Sequence, residues 1–219
     1  MVRPQLALPY SIISHDLTQM HDTETIEEYA ARFLKRLLSE QIIDTTRPLF
    51  LGGFSFGSAV AQELSMHLRC DGVIIVGGLQ NGRELRETVR YVGMHIIRHT
   101  PDIVFHLATP IVRLILRHYT KLSKTDVHLC INMYRKFSKR LFRNAYYSTT
   151  HWQGREVHCP MLRIHGADDQ IIRPPQKHVD MAENVILVAT AKHLVNFSHA
   201  NAVNRAIEDF VDRTMRGAN

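Results

Sequence analysis

Ser55 is the residue best placed to do chemistry, because it stands at the centre of Gly53-Phe54-Ser55-Phe56-Gly57. A G-x-S-x-G pattern suits a strand that turns directly into a helix. Such a turn strains its apex residue and crowds the positions two before and two after it, where glycine relieves the clash. A serine at the apex projects its hydroxyl from the turn. The helix that follows aims its free N–H groups and the positive end of its dipole at the same spot, so the Phe56 N–H is placed to meet a developing oxyanion. A glycine-rich turn carrying an ordinary serine is the plainer reading. A buried strand before the motif and an amphipathic helix after it argue against that.

A serine hydroxyl is a weak nucleophile until a base removes its proton, so a histidine and an orienting carboxylate are needed at later strand ends. Met161 to Ile164 reads as a strand and runs into His165-Gly166-Ala167-Asp168-Asp169, which sets two adjacent carboxylates on the loop leaving it. Asn184 to Val188 reads as the next strand, and Ala189-Thr190-Ala191-Lys192-His193 sets a histidine on the loop that follows. Serine, acid and histidine thus follow one another in the order that a strand–turn–helix serine requires in an alternating chain. Of the fourteen histidines, His199 competes with His193 but is expected inside the last helix, and His165 is expected to be a satisfied near-core residue. His95 and His99 have a chelating i, i+4 spacing, yet residue 96 is isoleucine and a third ligand is not apparent, so no metal site is expected.

The elements that must hold these residues are legible on either side of them. Gln5 to Leu8 reads as a short strand, and Thr25-Ile26-Glu27-Glu28 as a capping box that starts an amphipathic helix to about Glu40. Pro48 to Gly52 reads as a buried strand, with a helix from about Gly57 to Arg69 after it. Gly72 to Gly77 is an apolar, β-branched run suited to a parallel strand covered on both faces. A mostly helical stretch from about Leu79 to Thr150 follows. Then come the Met161 strand, a helix near Gln176 to Ala182, the Asn184 strand, and a last helix from about Phe197 to Arg216 stopped by Gly217. The expected fold class is α/β: a mostly parallel sheet flanked by helices, with residues 1–78 and 151–219 forming the core and residues 79–150 a helical cap insertion.

Taken together, TIEEYAARF, LGGFSFGSAVAQELS, IHGADDQIIRP and AKHLVNFSHA resemble the α/β-hydrolase superfamily, and the resemblance runs from about Gln5 to the C-terminus. It implies ester, thioester or amide hydrolysis through an acyl-enzyme, without a cofactor, on a small-molecule acyl substrate. It selects Asp169 over Asp168 as the acid, three residues after the glycine of the HG turn, and matches the family's histidine to His193. Family members open with further strands, one of which leads into a loop supplying a second oxyanion donor. Only four residues precede Gln5, so the expectation is an incomplete oxyanion hole, weak hydrolysis, apolar surface beside Leu49 to Gly52, and self-association. A binding or interaction protein of the same fold, keeping the three residues without working catalysis, is the alternative.

Composition sets the remaining bounds. A 219-residue chain that is 45% apolar buries a real core, which excludes disorder, collagen-like repeats and a small stapled scaffold. Cys70, Cys130 and Cys159 are too few and too widely spaced for a disulfide framework or a metal clip, so a reducing, cytoplasmic setting is expected. Neither a secretory leader nor a membrane span is read: Pro4, Gln5 and Pro9 interrupt the start, and charged residues break the most apolar half. The net charge is +6, and Tyr91 to Ala145 holds ten Lys/Arg against Asp102 and Asp126, a local +8. Most of that charge is expected on a solvated helical face. No recognised module accompanies it, so no nucleic-acid partner is expected. Arg135-Lys136 and Lys139-Arg140, with Met133, Phe137, Leu141 and Phe142 between them, read as an amphipathic helix suited to weak membrane-surface contact. Ile111, Val112, Leu114, Ile115, Leu116 and Trp152 are expected mostly to form the core of the cap, with any remainder lining an acyl pocket.

Overall fold

The computed structural model of the chain describes residues 3–14, 17, 19–44, 46–119, 124–136, 138–175 and 184–217. The capping box opens α1 (Ile26–Ser39): the Glu28 N–H donates to the Thr25 hydroxyl at 3.2 Å, and the Glu28 carboxylate accepts the Thr25 N–H at 2.9 Å. This satisfies two donors that a helix start otherwise leaves bare. Strand β1 (Phe50–Phe54) leads into α2 (Phe56–Ser65), and β2 (Gly72–Val76) follows. Next come a 3-10 turn (Gly82–Glu84), α3 (Glu87–His95), a second 3-10 turn (Ile97–His99), α4 (Asp102–Leu107), α5 (Thr109–Tyr119), α6 (Lys124–Lys136) and α7 (Lys139–His151). The chain ends with β3 (Met161–Gly166), β4 (Val185–Val188), α8 (Val195–Ser198) and α9 (Ala200–Gly217). The helix expected near Gln176 to Ala182 lies outside the described residues.

Among the described residues four strands form the sheet, parallel and adjacent in chain order, with Gly53 beside Ile75, Ile75 beside Arg163, and Ile164 beside Ile186. Their side chains alternate between two cores. Val73 and Ile75 point to the side of α1 and α2, packing with Leu51, Ala59 and Tyr29, while Ile74 and Val76 point to α9 with Leu162, Ile164 and Phe210. Burial on both faces is why β2 is an unbroken apolar run, and each such Val or Ile contributes about 1.5–3 kcal/mol. Parallel strands also bring the loops after β1, β3 and β4 to the same edge of the sheet, the edge where open α/β sheets bind ligands.

The first expected strand is not one. Arg3–Ala7 forms a 3-10 helix, with the Leu8 N–H returning to the Gln5 carbonyl at 3.1 Å. The buried Gln5 amide needs partners and finds them on the last helices, donating to the Asn196 carbonyl and to Asn204 Oδ1, while Leu8 packs into the α9 core. Satisfying one buried amide outweighs the weak strand tendency of four residues. The last helix is also in two pieces, broken at His199 (φ −134°, ψ 41°). Cys70 and Cys159, far apart in sequence, meet at the entries to β2 and β3 as free thiols 3.2 Å apart. Burial and the neighbouring Cys159 push the Cys70 thiol up to about 12.

The helical segment between β2 and β3 shares the α1–α2 core through Leu85, Leu141, Ala145 and Trp152. Its return is pinned by a buried carboxylate on α2: Glu63 accepts the Trp152 indole N–H at 2.6 Å and the Arg155 guanidinium at 2.9 Å. Replacing Trp152 by phenylalanine keeps most of the packing and strips one donor from a buried charge. We expect Trp152→Phe to lower stability by about 1.5–3 kcal/mol, read as a lower urea midpoint at unchanged slope.

Candidate active site

Ser55 holds a positive φ of 52° with ψ −122°, a strained conformation for a residue with a side chain. The surroundings enforce it. The Ser55 N–H closes the last rung of the sheet on the Val76 carbonyl at 3.2 Å, while the Ser58 N–H and hydroxyl both donate to the Ser55 carbonyl, at 2.9 and 2.6 Å. A Cβ at Gly53 would lie 2.0 Å from the Gly57 carbonyl oxygen and 2.4 Å from the Ser58 nitrogen, so only glycine fits there. Gly57 differs from the expectation: nothing lies within 4 Å of where its Cβ would be. The first turn of α2 points that position outward, and crowding does not demand glycine. The Phe56 N–H finds no acceptor among the described residues, as a helix start predicts.

The histidine and the acid converge on this turn. His193 Nε2 lies 3.1 Å from Ser55 Oγ, and its Nδ1–H donates to Asp169 Oδ2 at 2.9 Å. That second bond selects the tautomer, leaving Nε2 with a lone pair toward the serine hydroxyl. The Phe54 ring packs against the imidazole with centroids 5.2 Å apart. Gly166 lets the two loops touch backbone to backbone. A Cβ there would sit 2.4 Å from the Lys192 carbonyl oxygen, and the Asp168 N–H donates to the Ala191 carbonyl at 2.9 Å. Asp169 is fully buried. Its Oδ1 accepts the Ile171 and Ile172 N–H groups at 2.7 and 3.1 Å.

Sequence reasoning missed how Asp169 is held. His165, also fully buried, places Nε2 at 3.0 Å from the same Oδ2 that His193 uses. Alternation along β3 turns Arg163 and His165 to the α2 side, and the turn after Gly166 folds Asp169 back under His165, so strand parity was the available signal. Arg163, buried, pairs with Glu84 at 2.6 Å, and Arg86 donates to the Asp169 carbonyl at 2.7 Å. A bridge between Leu85 and Ile172 completes a clamp between the segment after β2 and the acid loop. Burial pushes the Asp169 carboxyl up, but the hydrogen bonds from His165 and His193 outweigh it and hold the group well below the usual carboxylate range.

The remaining candidates fall elsewhere. Asp168 is exposed to solvent. His199 sits at the helix break with Nδ1 beside the Ser198 hydroxyl at 2.9 Å. His95 ends α3 and His99 lies in the separate 3-10 turn, so the two do not share one helical face. Among the described residues no group of three His, Cys, Asp or Glu is placed to hold a metal.

No protein-family model matches the sequence, and no curated relative does. Solved structures do match, and they place the chain in the α/β-hydrolase fold. It is similar to a putative aryl esterase from Burkholderia cenocepacia (17% identity, 98% of this chain and 86% of that one, TM-score 0.70). It is similar also to a thermophilic esterase from Thermogutta terrifontis (17% identity, 89% and 75%, TM-score 0.63). A bromoperoxidase from Bacillus anthracis shares the fold too (15% identity, 89% and 77%, TM-score 0.60).

Because the folded Asp169 carboxyl titrates below its unfolded counterpart, its contribution to stability is fully present above the unfolded value of about 3.9 and is lost as pH falls below it. We expect the urea midpoint of the native chain to fall steeply from about pH 4 downward. Asp169→Asn, less stable throughout, should show a visibly flatter acid limb.

Proposed function

We propose that the chain is a serine hydrolase that cleaves a carboxylic ester or thioester of a small acyl substrate through an acyl-serine intermediate. The observation that carries the reading is the continuous hydrogen-bonded relay from Ser55 Oγ through the His193 imidazole to the buried Asp169 carboxylate. His193 Nε2 takes the Ser55 proton as Oγ attacks the carbonyl carbon. The negative charge moves to the carbonyl oxygen, which the Phe56 N–H at the start of α2 receives. Collapse of the tetrahedral intermediate expels the alkoxide or thiolate, which leaves with the proton from His193. Water then repeats the sequence on the acyl-serine and frees the acid. Asp169 holds the imidazole in the productive tautomer and stabilises the imidazolium without taking its proton. No cofactor enters these steps. In this reading residues 79–150 form a cap over the core, and the three free cysteines suit a reducing, cytoplasmic setting.

A fluorophosphonate probe should label Ser55 alone, with Ser55→Ala abolishing the label while circular dichroism stays unchanged. On a short p-nitrophenyl ester, His193→Ala and Asp169→Asn should each lower kcat by about 10⁴-fold or more, whereas His199→Ala and Asp168→Asn should stay close to the native value. Labelling at Ser58 or Ser65 would move the nucleophile. A folded chain that neither labels nor turns over would be a binding protein on this fold.

A further inference from the structure

Of the apolar residues expected mostly to form the core of the cap, Trp152 is buried and Val112 and Leu116 are half-buried, but Ile111, Leu114 and Ile115 are exposed. Ile103, Leu107, Ile111, Leu114 and Ile115 are all exposed, Leu107 at 71% and Ile111 at 61%. They recur at i, i+4, i+8, i+11 and i+12 through α4 and α5, which follow one another across Ala108, and so form one stripe. The helices cannot roll to hide it, because their other side is already engaged. Phe105 is buried with its ring edge-on to Phe142 at 5.7 Å, and its carbonyl accepts the Tyr134 hydroxyl at 2.6 Å. Beside the stripe stand the exposed Arg113 and Arg117, Arg117 one turn from Leu114, and neither makes an ion pair among the described residues.

The helix that composition favoured for lipid contact is differently used. It is interrupted between Lys136 and Lys139, Leu141 is buried in the core, and Phe137 lies outside the described residues. Lys139 donates to the Tyr134 carbonyl, Arg140 pairs with Asp22, and Arg143 pairs with Asp102. Those three cations are spent within the molecule, whereas Arg135 and Lys136, like Arg113 and Arg117, face solvent.

We propose that the α4–α5 face docks the protein peripherally on a lipid surface carrying anionic headgroups. An interfacial helix needs a solvent-facing apolar stripe with cations at its edge, which reach headgroup phosphates while the stripe enters the acyl boundary. A local charge of +8 from Tyr91 to Ala145 complements such a surface. Charge also disfavours a second copy as the occupant, since a symmetric pairing would set the arginine row of one chain against that of the other. No helix among the described residues is long and apolar enough to cross a membrane, so the contact is with the surface.

Vesicle sedimentation with the purified full chain tests this without reference to catalysis. Phosphatidylcholine vesicles with about 30% phosphatidylserine should bind it at least about tenfold more tightly than phosphatidylcholine alone, and about 1 M salt should weaken the binding. The double variants Leu107→Glu with Ile111→Glu, and Arg113→Glu with Arg117→Glu, should each lower the partition coefficient by about tenfold or more while keeping the native circular dichroism. Ser55→Ala should bind as the native chain does, which separates this result from the hydrolase reading. Three results would overturn the proposal: equal binding to both vesicle types, a vesicle-free dimer that the Leu107→Glu with Ile111→Glu variant dissociates, or binding to poly-glutamate but to no vesicle.

Discussion

Everything at the site hangs on one buried charge. Asp169 has no exposed surface, and an isolated carboxylate in such a place would protonate rather than remain ionised. It stays ionised because four donors converge on two oxygens: the Ile171 and Ile172 N–H groups on Oδ1, and His165 and His193 on Oδ2. Those donors in turn fix the geometry around them. The backbone pair sets the turn of the acid loop, and His193 is oriented toward Ser55. His165 ties the loop to β3, so an error in any one of them would leave part of a buried charge unpaired.

That constraint reaches into the architecture. Four donors can meet only if the acid loop, the histidine loop and the elbow leave the sheet at the same edge, which parallel strands in register ensure. The segment after β2 then locks the arrangement through the Arg163–Glu84 pair, the Arg86 contact with the Asp169 carbonyl, and the Leu85–Ile172 bridge. Buried salt bridges contribute little net stability once desolvation is counted. The Arg163–Glu84 pair is better understood as fixing where the helical segment begins relative to the acid loop.

Legibility from sequence followed the range of the physics involved. The elbow is local: sterics across five residues dictate glycine at position 53, and the pattern announces itself. The loops bearing Asp169 and His193 were found because short apolar runs identify strands and strand ends identify loops. What depends on distant partners was not readable. The Gln5 amide is satisfied by Asn196 and Asn204 near the other end of the chain, and Cys70 meets Cys159 only because β2 and β3 are neighbours in the sheet. His165 reads as a satisfied near-core histidine; it is fully buried, but only its Nε2 finds a partner, the acid itself, while its Nδ1 has none among the described residues.

The α4–α5 segment illustrates a different limit. Periodicity reports that a helix has apolar positions, but here two apolar stripes run along it, one through Phe105, Val112 and Leu116 and one through Leu107, Ile111 and Leu114. Hydropathy cannot rank two faces of similar character. The choice is made by the partner: Phe142 and Tyr134 offer an aromatic surface and a hydroxyl donor that fit Phe105, while Leu107, Ile111 and Leu114 stay exposed. Which stripe goes inside is therefore decided by the neighbouring helices, and the stripe left outside becomes the part of the molecule with most to gain from a partner.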